Sequence, residues 1–345
     1  MTHLYLGLLL FSFITCSILV IPFINLLYRL KFQRQKQDQT KDFQNKLTPI
    51  FNKFHQSKVG TPIGGGLLII FTVTCLFALL LPLLKFSQVF ISSNYQINRE
   101  IEIIFITFLS FGLLGLYDDV LKFFNFKKTG FFGLRMRQKL FLQIFIALIV
   151  SCLIYFHLNT NFIYLPFLGA VNLGPFFILV SASFIVLFAN FFNITDGLDG
   201  LACGLLMISL VAFWFLAHSS FDTPISLFIS LWLGSLIAFL YFNIFPARIW
   251  LGDVGSLSFG ATFAVIAMLL GRVVPLIIIG LPFIIEGSSS ALQILSKKYF
   301  HRKILPAAPL HLTLQQRGWP EPKIVFRFWL SGIILAVFGL WIGLN

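Results

Sequence analysis

Apolar residues fall along this chain in long runs, separated by short stretches that carry most of the charges, many glycines and several prolines. A helix crossing a bilayer needs about 20 apolar residues. By that measure the pattern predicts ten spans, at 4–28, 64–84, 101–117, 140–157, 175–192, 201–217, 224–242, 257–271, 273–295 and 324–344. The span at 257–271 is short, and the connections at 192/201 and 271/273 are tight. No small-residue cleavage site follows the first run, which continues into a basic loop, so it reads as a retained helix and not a removed signal peptide. The Gln-rich stretch 32–45 reads as a solvated helix extension or flexible loop. The charge-free stretch 158–174, with Pro166, Gly169 and Gly174, reads as a hairpin lying on the outer face. There is no internal repeat.

Composition agrees with the pattern. Of 345 residues, 58% are hydrophobic and 11% charged, where soluble domains carry about 25% charged residues. The chain is therefore expected to be all-α, one polytopic membrane domain over 1–345, and not two or three soluble ones. The net charge of +13 invites a nucleic-acid reading, but its distribution removes it. Ten spans alternate the loops between two sides. All Lys and Arg except Lys85, Arg99 and Arg272 then fall on or beside the same side. The positive-inside rule makes that side cytoplasmic and puts both termini outside. Anionic headgroups, with no nucleic acid, account for the charge. Cys16, Cys75, Cys152 and Cys203 show no metal or disulfide spacing and read as small buried hydrophobes.

The chain has only 12 acidic residues, and five of them, Asp118, Asp119, Asp196, Asp199 and Asp253, fall at cytoplasmic span ends in three different loops. Taken singly, each is a helix cap or a solvated charge. Taken together on one face, they repel unless a cation joins them, and hard oxygen ligands suit Mg²⁺ or Mn²⁺. Glycines surround them at 64–66, 197, 200, 252 and 255, where close backbone approach to a ligand or close helix packing is the gain. Lys58 and Lys139 are the cations best placed for phosphate. Lys122, Lys127, Lys128, Arg135 and Arg137 read as ordinary positive-inside charges. Glu286 is the one acid well inside an apolar run, where a packing or solvation role is expected of it, and the following Gly287-Ser288-Ser289-Ser290 is the expected site of a bend.

The motifs Gly60-Thr61-Pro62-Ile63-Gly64-Gly65, Asp118-Asp119-Val120-Leu121-Lys122, Asn193-Ile194-Thr195-Asp196-Gly197-Leu198-Asp199-Gly200-Leu201, Trp250-Leu251-Gly252-Asp253-Val254-Gly255-Ser256 and Gly318-Trp319-Pro320-Glu321-Pro322-Lys323 occur in this order. Jointly they resemble the MraY family, the phospho-N-acetylmuramoyl-pentapeptide transferases, from about residue 58 to the C-terminus. The resemblance implies a multi-pass protein of the bacterial inner membrane with its active site on the cytoplasmic face. It implies transfer of phospho-MurNAc-pentapeptide from UDP-MurNAc-pentapeptide to undecaprenyl phosphate, giving lipid I and UMP, with Mg²⁺ as cofactor. Asp118 and Asp119 then engage the lipid phosphate, with Asp118 as the base, and Asp253 ligates the metal. Asn193, Asp196, Asp199, Asn243, Gly252, Ser256 and Gln293 match positions lining the uridine and ribose-phosphate pocket, with Trp250 placed to stack on uracil. Lys58, Thr61, Lys139 and His311 complete the expected substrate contacts. The resemblance leaves a homodimer open.

One departure stands out. The family carries three consecutive histidines where this chain has His311-Leu312-Thr313, and Gln315 replaces the acid that normally follows. That loss keeps a second donor open, another UDP-N-acetyl-hexosamine. A transporter or a silent paralogue is the reading from another class. A transporter places ionisable groups near mid-membrane on broken helices, and only Glu286 fits that description. The stretch from Asn193 to Gly200 is thus expected to floor the nucleotide pocket, with the chemistry beside it.

Overall fold

In hydrocarbon every backbone donor and acceptor must be satisfied inside its own segment, so long apolar runs become helices. The computed structural model describes residues 2–33, 60–123, 134–166 and 168–344. Helices α1 (Thr2–Arg29), α2 (Gly65–Phe86), α3 (Ile97–Phe123) and α4 (Met136–His157) come first. A two-stranded antiparallel hairpin follows, β1 (Phe162–Leu165) with β2 (Gly169–Asn172), pairing Phe162 with Asn172. It falls in the stretch read as a hairpin. Then come α5 (Phe176–Thr195), α6 (Leu201–Ser219), α7 (Thr223–Asn243), α8 (Gly252–Leu269), α9 (Val273–Ile279), α10 (Leu281–Tyr299), α11 (Leu310–Gln316) and α12 (Glu321–Leu344). Among the described residues nine helices are long and apolar enough to cross a membrane, and α9 with α10 makes a tenth span bent by 72°. The protein is an all-α polytopic membrane protein.

Most helices run a few residues past their predicted spans, and several of the extensions carry residues of the site. The third was expected to end at 117, but α3 continues to Phe123 and carries Asp118, Asp119 and Lys122 on its last turns. The eighth was expected from 257, but α8 begins at Gly252 and takes Asp253 into its first turn. The tenth begins at Glu321, not 324. Polar residues at helix ends leave the hydrocarbon, so an apolar window stops short of them. The bend in the ninth span is also displaced. It falls at Gly280, with Pro282 in the first turn of α10. A proline ring excludes the backbone four residues earlier and removes one donor. Gly287 instead lies under the Phe191 ring, where an added Cβ would be 1.9 Å from a ring carbon.

At the centre stands α8, with every side chain from Val254 to Leu269 buried. It packs against α2, α3 and α5, while α1 lies along α7. A helix apolar all round belongs in such a place. Lipid is as apolar as leucine, so helices associate in it through close packing of small residues. A Cβ on Gly66 would sit 2.2 Å from Gly255 Cα, and one on Gly115 would sit 2.1 Å from the Asp253 carbonyl oxygen. Those contacts bring α2 and α3 onto the first turn of α8. The segment before α2 is stitched to the same place: Gly64 and Gly65 donate to the Trp250 carbonyl, and Trp250 donates to the Pro62 carbonyl. Phe259 of α8 packs against Phe108 and Trp232, at 5.9 and 5.1 Å between ring centroids, which fixes the helix below the polar end.

Candidate active site

The end of the bundle where α3 finishes and α8 begins gathers three carboxylates. Asp118 and Asp119 follow one another on α3, and Lys122 stands one turn later, at i+4 and i+3 from them. Asp253 enters from the first turn of α8, and Lys139 from the first turn of α4. The Lys122 Nζ lies 2.5 Å from Asp253 Oδ2, 3.0 Å from Asp118 Oδ2 and 3.8 Å from Asp119 Oδ1. The Lys139 Nζ lies 2.5 Å from Asp253 Oδ2 and 3.1 Å from Asp118 Oδ2. Both α3 carboxylates are buried, and burial of ions is tolerated only with such pairing.

The second oxygen of each carboxylate is also held. Asp118 Oδ1 accepts from the Leu134 amide at 2.7 Å. Asp119 Oδ2 accepts from the Val254 amide at 3.1 Å, capping α8 from a neighbouring helix. Asp253 Oδ1 accepts from Asn193 Nδ2 at 2.8 Å, and the same nitrogen donates to Ser256 Oγ at 2.6 Å. Gly252 makes the Asp119 contact feasible. It sits at φ +78°, and a Cβ there would come within 2.7 Å of Asp119 Oδ2.

The turn from Asn193 to Gly200 connects this cluster to two others. Asp199 is buried, and its Oδ2 accepts from the Ala247 amide at 3.0 Å while its own amide donates to Glu321 Oε1 at 2.6 Å. Asn243 Nδ2 donates to the Ile249 carbonyl at 3.0 Å. Asp199 and Asn243 therefore brace the loop that leads to Trp250 and Gly252. Gln293 does similar work after α10: its Oε1 accepts from Ile304 and Leu305, and its Nε2 donates to the Leu305 carbonyl. Asp196, Trp250 and Thr61 are half-buried at the same end. Lys58, Lys127 and Lys128 lie outside the described residues.

His311 faces the turn from the far side. Its Nδ1 is 2.8 Å from Glu286 Oε2, and its amide donates to Glu286 Oε1 at 3.1 Å. The other ring nitrogen points at Gly197, where a Cβ would lie 2.6 Å from it. Leu312 and Thr313, which stand in place of the family's other histidines, are buried, and the Thr313 hydroxyl donates to the Ala307 carbonyl. Sequence reasoning passed over two residues of this arrangement. Lys122 was grouped with ordinary basic charges, although its spacing from Asp118 is that of a helical ion pair. Glu286 was assigned to packing or solvation, although an acid inside an apolar run marks a functional position by default.

Among the described residues no three His, Cys, Asp or Glu side chains form a ready-made metal cage. The donors that converge do so around an ammonium. Mg²⁺ takes one or two protein carboxylates and leaves its other positions to water and substrate phosphates, so this hard-oxygen set fits it. Two surface grooves, of about 360 Å³ along α4 and about 310 Å³ around Tyr5 and His218, do not touch the carboxylates.

The description "Glycosyl transferase family 4" matches residues 101–271, the stretch that holds Asp118, Asp119, Lys122, Lys139, Asn193 and Asp253. Proteins named phospho-N-acetylmuramoyl-pentapeptide-transferase from Staphylococcus aureus strains MSSA476, MW2 and JH9 are each 38% identical to the chain over 296 residues, covering 84% of it and 88% of their own length.

Proposed function

The chain belongs to the phospho-N-acetylmuramoyl-pentapeptide-transferase family, and from that premise we propose that it makes lipid I and UMP from UDP-MurNAc-pentapeptide and undecaprenyl phosphate. The reaction belongs to peptidoglycan synthesis and takes place at the cytoplasmic face of a bacterial inner membrane. The observation that carries this reading is the arrangement around Asp253, whose two oxygens meet Lys122, Lys139 and Asn193 at 2.5–2.8 Å.

Chemically, an oxygen of the lipid phosphate attacks the β-phosphorus of the nucleotide sugar. The bond from that phosphorus to the bridging oxygen breaks, and the electron pair leaves with UMP. A phosphate monoester has its second pKa near 6 and is mostly ionised at neutral pH. Asp118 therefore orients the lipid phosphate more than it removes a proton. Asp119 keeps α3 and α8 in register through the Val254 amide, and so places Asp118 opposite Asp253. Lys122 and Lys139 supply positive charge where the diphosphate arrives, which is the main requirement of phosphoryl transfer. Asp253, with Asp118 and Asp119 beside it, would hold Mg²⁺, and the ion would neutralise charge on the pyrophosphate as UMP departs. On the nucleotide side, Asn193, Asp196, Ser256 and Trp250 are the proposed contacts. Asp199, Asn243 and Gln293 act one step back, by fixing the loops that carry them. His311, held by Glu286 and turned to Gly197, is a phosphate or sugar contact.

The other donors remain alternatives because Leu312 and Thr313 are buried and leave one histidine facing the turn. Purified protein in lipid, given Mg²⁺, undecaprenyl phosphate and a panel of UDP-amino sugars, separates the readings by UMP release. Turnover with UDP-MurNAc-pentapeptide alone is expected. Turnover with a different UDP-N-acetyl-hexosamine moves the protein to a sister branch, and no turnover with any donor removes the enzyme reading. Glu286, the residue that favoured transport, is engaged with His311 and offers no free mid-membrane charge.

A further inference from the structure

Each of the three carboxylates has one oxygen tied to a nitrogen donor and the other turned to a common point. Asp118 Oδ1, Asp119 Oδ2 and Asp253 Oδ1 are taken by Leu134, Val254 and Asn193. Asp118 Oδ2, Asp119 Oδ1 and Asp253 Oδ2 are left, and all three lie within 3.8 Å of the Lys122 Nζ. Lys139 reaches only two of the three acids. The Lys122 nitrogen thus marks the spot where three fixed, hard oxygens converge.

We propose that Lys122 sits in the seat of the divalent cation and is exchanged for it. Entry of the cation displaces the Lys122 ammonium from between Asp118, Asp119 and Asp253 and frees it for the diphosphate of the incoming nucleotide sugar. This rests on the metal-dependent transferase reading above. Three arguments support it. An ammonium and a dication cannot share one seat, since their repulsion is twice that of two ammoniums at equal distance. The charge count favours exchange: three carboxylates face two lysines without the ion, and the ion with Lys139 alone balances them. Finally, Lys122 is the lysine with a way out. Its side chain is 35% exposed against 17% for Lys139, and it stands next to the last residue of α3. The nitrogen donors of Leu134, Val254 and Asn193 hold the other oxygen of each carboxylate whichever cation is present.

Exchange gives Lys122 a second role. In the metal-free protein its ammonium offsets the repulsion among three closely spaced carboxylates. In the loaded protein it becomes a phosphate contact that appears only after the ion has arrived, which orders cation before nucleotide sugar.

The test uses the full chain in lipid nanodiscs without nucleotide. Lysine-selective acylation, read by mass spectrometry, is compared in EDTA and across a Mg²⁺ titration, while Mn²⁺ binding is followed directly by electron paramagnetic resonance. Lys122 labelling is expected to be low in EDTA and to rise severalfold with the same midpoint as cation binding, with Lys139 protected throughout. Lys122→Met is expected to bind Mn²⁺ at least about tenfold tighter, the order of effect for removing a unit charge a few ångströms from a dication in a partly screened site. Cation binding with unchanged Lys122 labelling overturns the exchange and leaves the metal reading standing. Absence of Mn²⁺ binding in both proteins overturns exchange and metal reading together. Should Lys122→Met fail to fold, the labelling of the unaltered protein still decides.

Discussion

At the scale of single residues, the site is a set of side chains whose atoms are nearly all committed. Asp253 has Lys122 and Lys139 on one oxygen and Asn193 on the other. Asp253→Asn keeps the shape and removes the charge, and UMP release should fall at least about a hundredfold, as when a group aimed at developing charge is removed. The unfolding temperature of that variant should stay close to the parent's; full activity would remove Asp253 from the chemistry. Glu286 and His311 form a pair that acts as a unit. Glu286→Gln is expected to lower kcat/KM about ten- to a hundredfold, on the scale of losing the partner that orients a metal-binding histidine. His311→Ala should cost no less, and the double variant no more than His311→Ala alone, because one interaction is being removed twice. Additive losses would separate the two residues. Asp118, Asp119 and Asp253 were legible in the sequence because acids are scarce in this chain and these lie at span ends. Lys122 was hidden among positive-inside lysines. The partner of Glu286 lies 25 residues away, and no local pattern announces it.

At the scale of elements, glycine contacts decide how α2 and α3 meet α8. Gly66→Leu drives a side chain into Gly255 Cα, so it should destabilise by about 1–3 kcal/mol or more. Gly7→Leu, where no atom lies within 4 Å of an added Cβ, should not. Thermal unfolding in the same detergent compares them, and equal midpoints would contradict the packing described for α8. The missing histidines belong to this scale too. Leu312 and Thr313 are buried, and Thr313 is bonded to Ala307. Restoring Leu312→His with Thr313→His should therefore lower the unfolding temperature without raising the rate, since a buried polar ring without a partner is costly. A faster enzyme would show that those positions can turn toward substrate. All ten spans could be read from apolar run length, because lipid demands that length. Their ends could not, since α3, α8 and α12 extend past the apolar window on polar residues that other helices hold. The bend at Gly280 escaped for a related reason: Gly287 looked like a hinge and is a contact for Phe191.

At the scale of the whole molecule, ten spans and the basic asymmetry predict that the carboxylate end faces the cytoplasm. A phosphatase active only outside the cytoplasm, fused after Asn345, should be active, and the same enzyme inserted at Arg302 should not; the reverse would invert the topology. The functional conclusion depends on several parts meeting at one end of a bundle. The close packing of α3 on α8 puts Asp118 and Asp119 beside Asp253, the start of α4 adds Lys139, and the last turn of α5 brings Asn193. The most direct measurement is UMP release from UDP-MurNAc-pentapeptide and undecaprenyl phosphate, titrated with Mg²⁺, for the parent protein and Asp253→Asn side by side. Saturable, Mg²⁺-dependent release is expected from the parent and almost none from the variant at any Mg²⁺ concentration. Release that ignores Mg²⁺, or that survives the substitution, would contradict the metal-dependent reading.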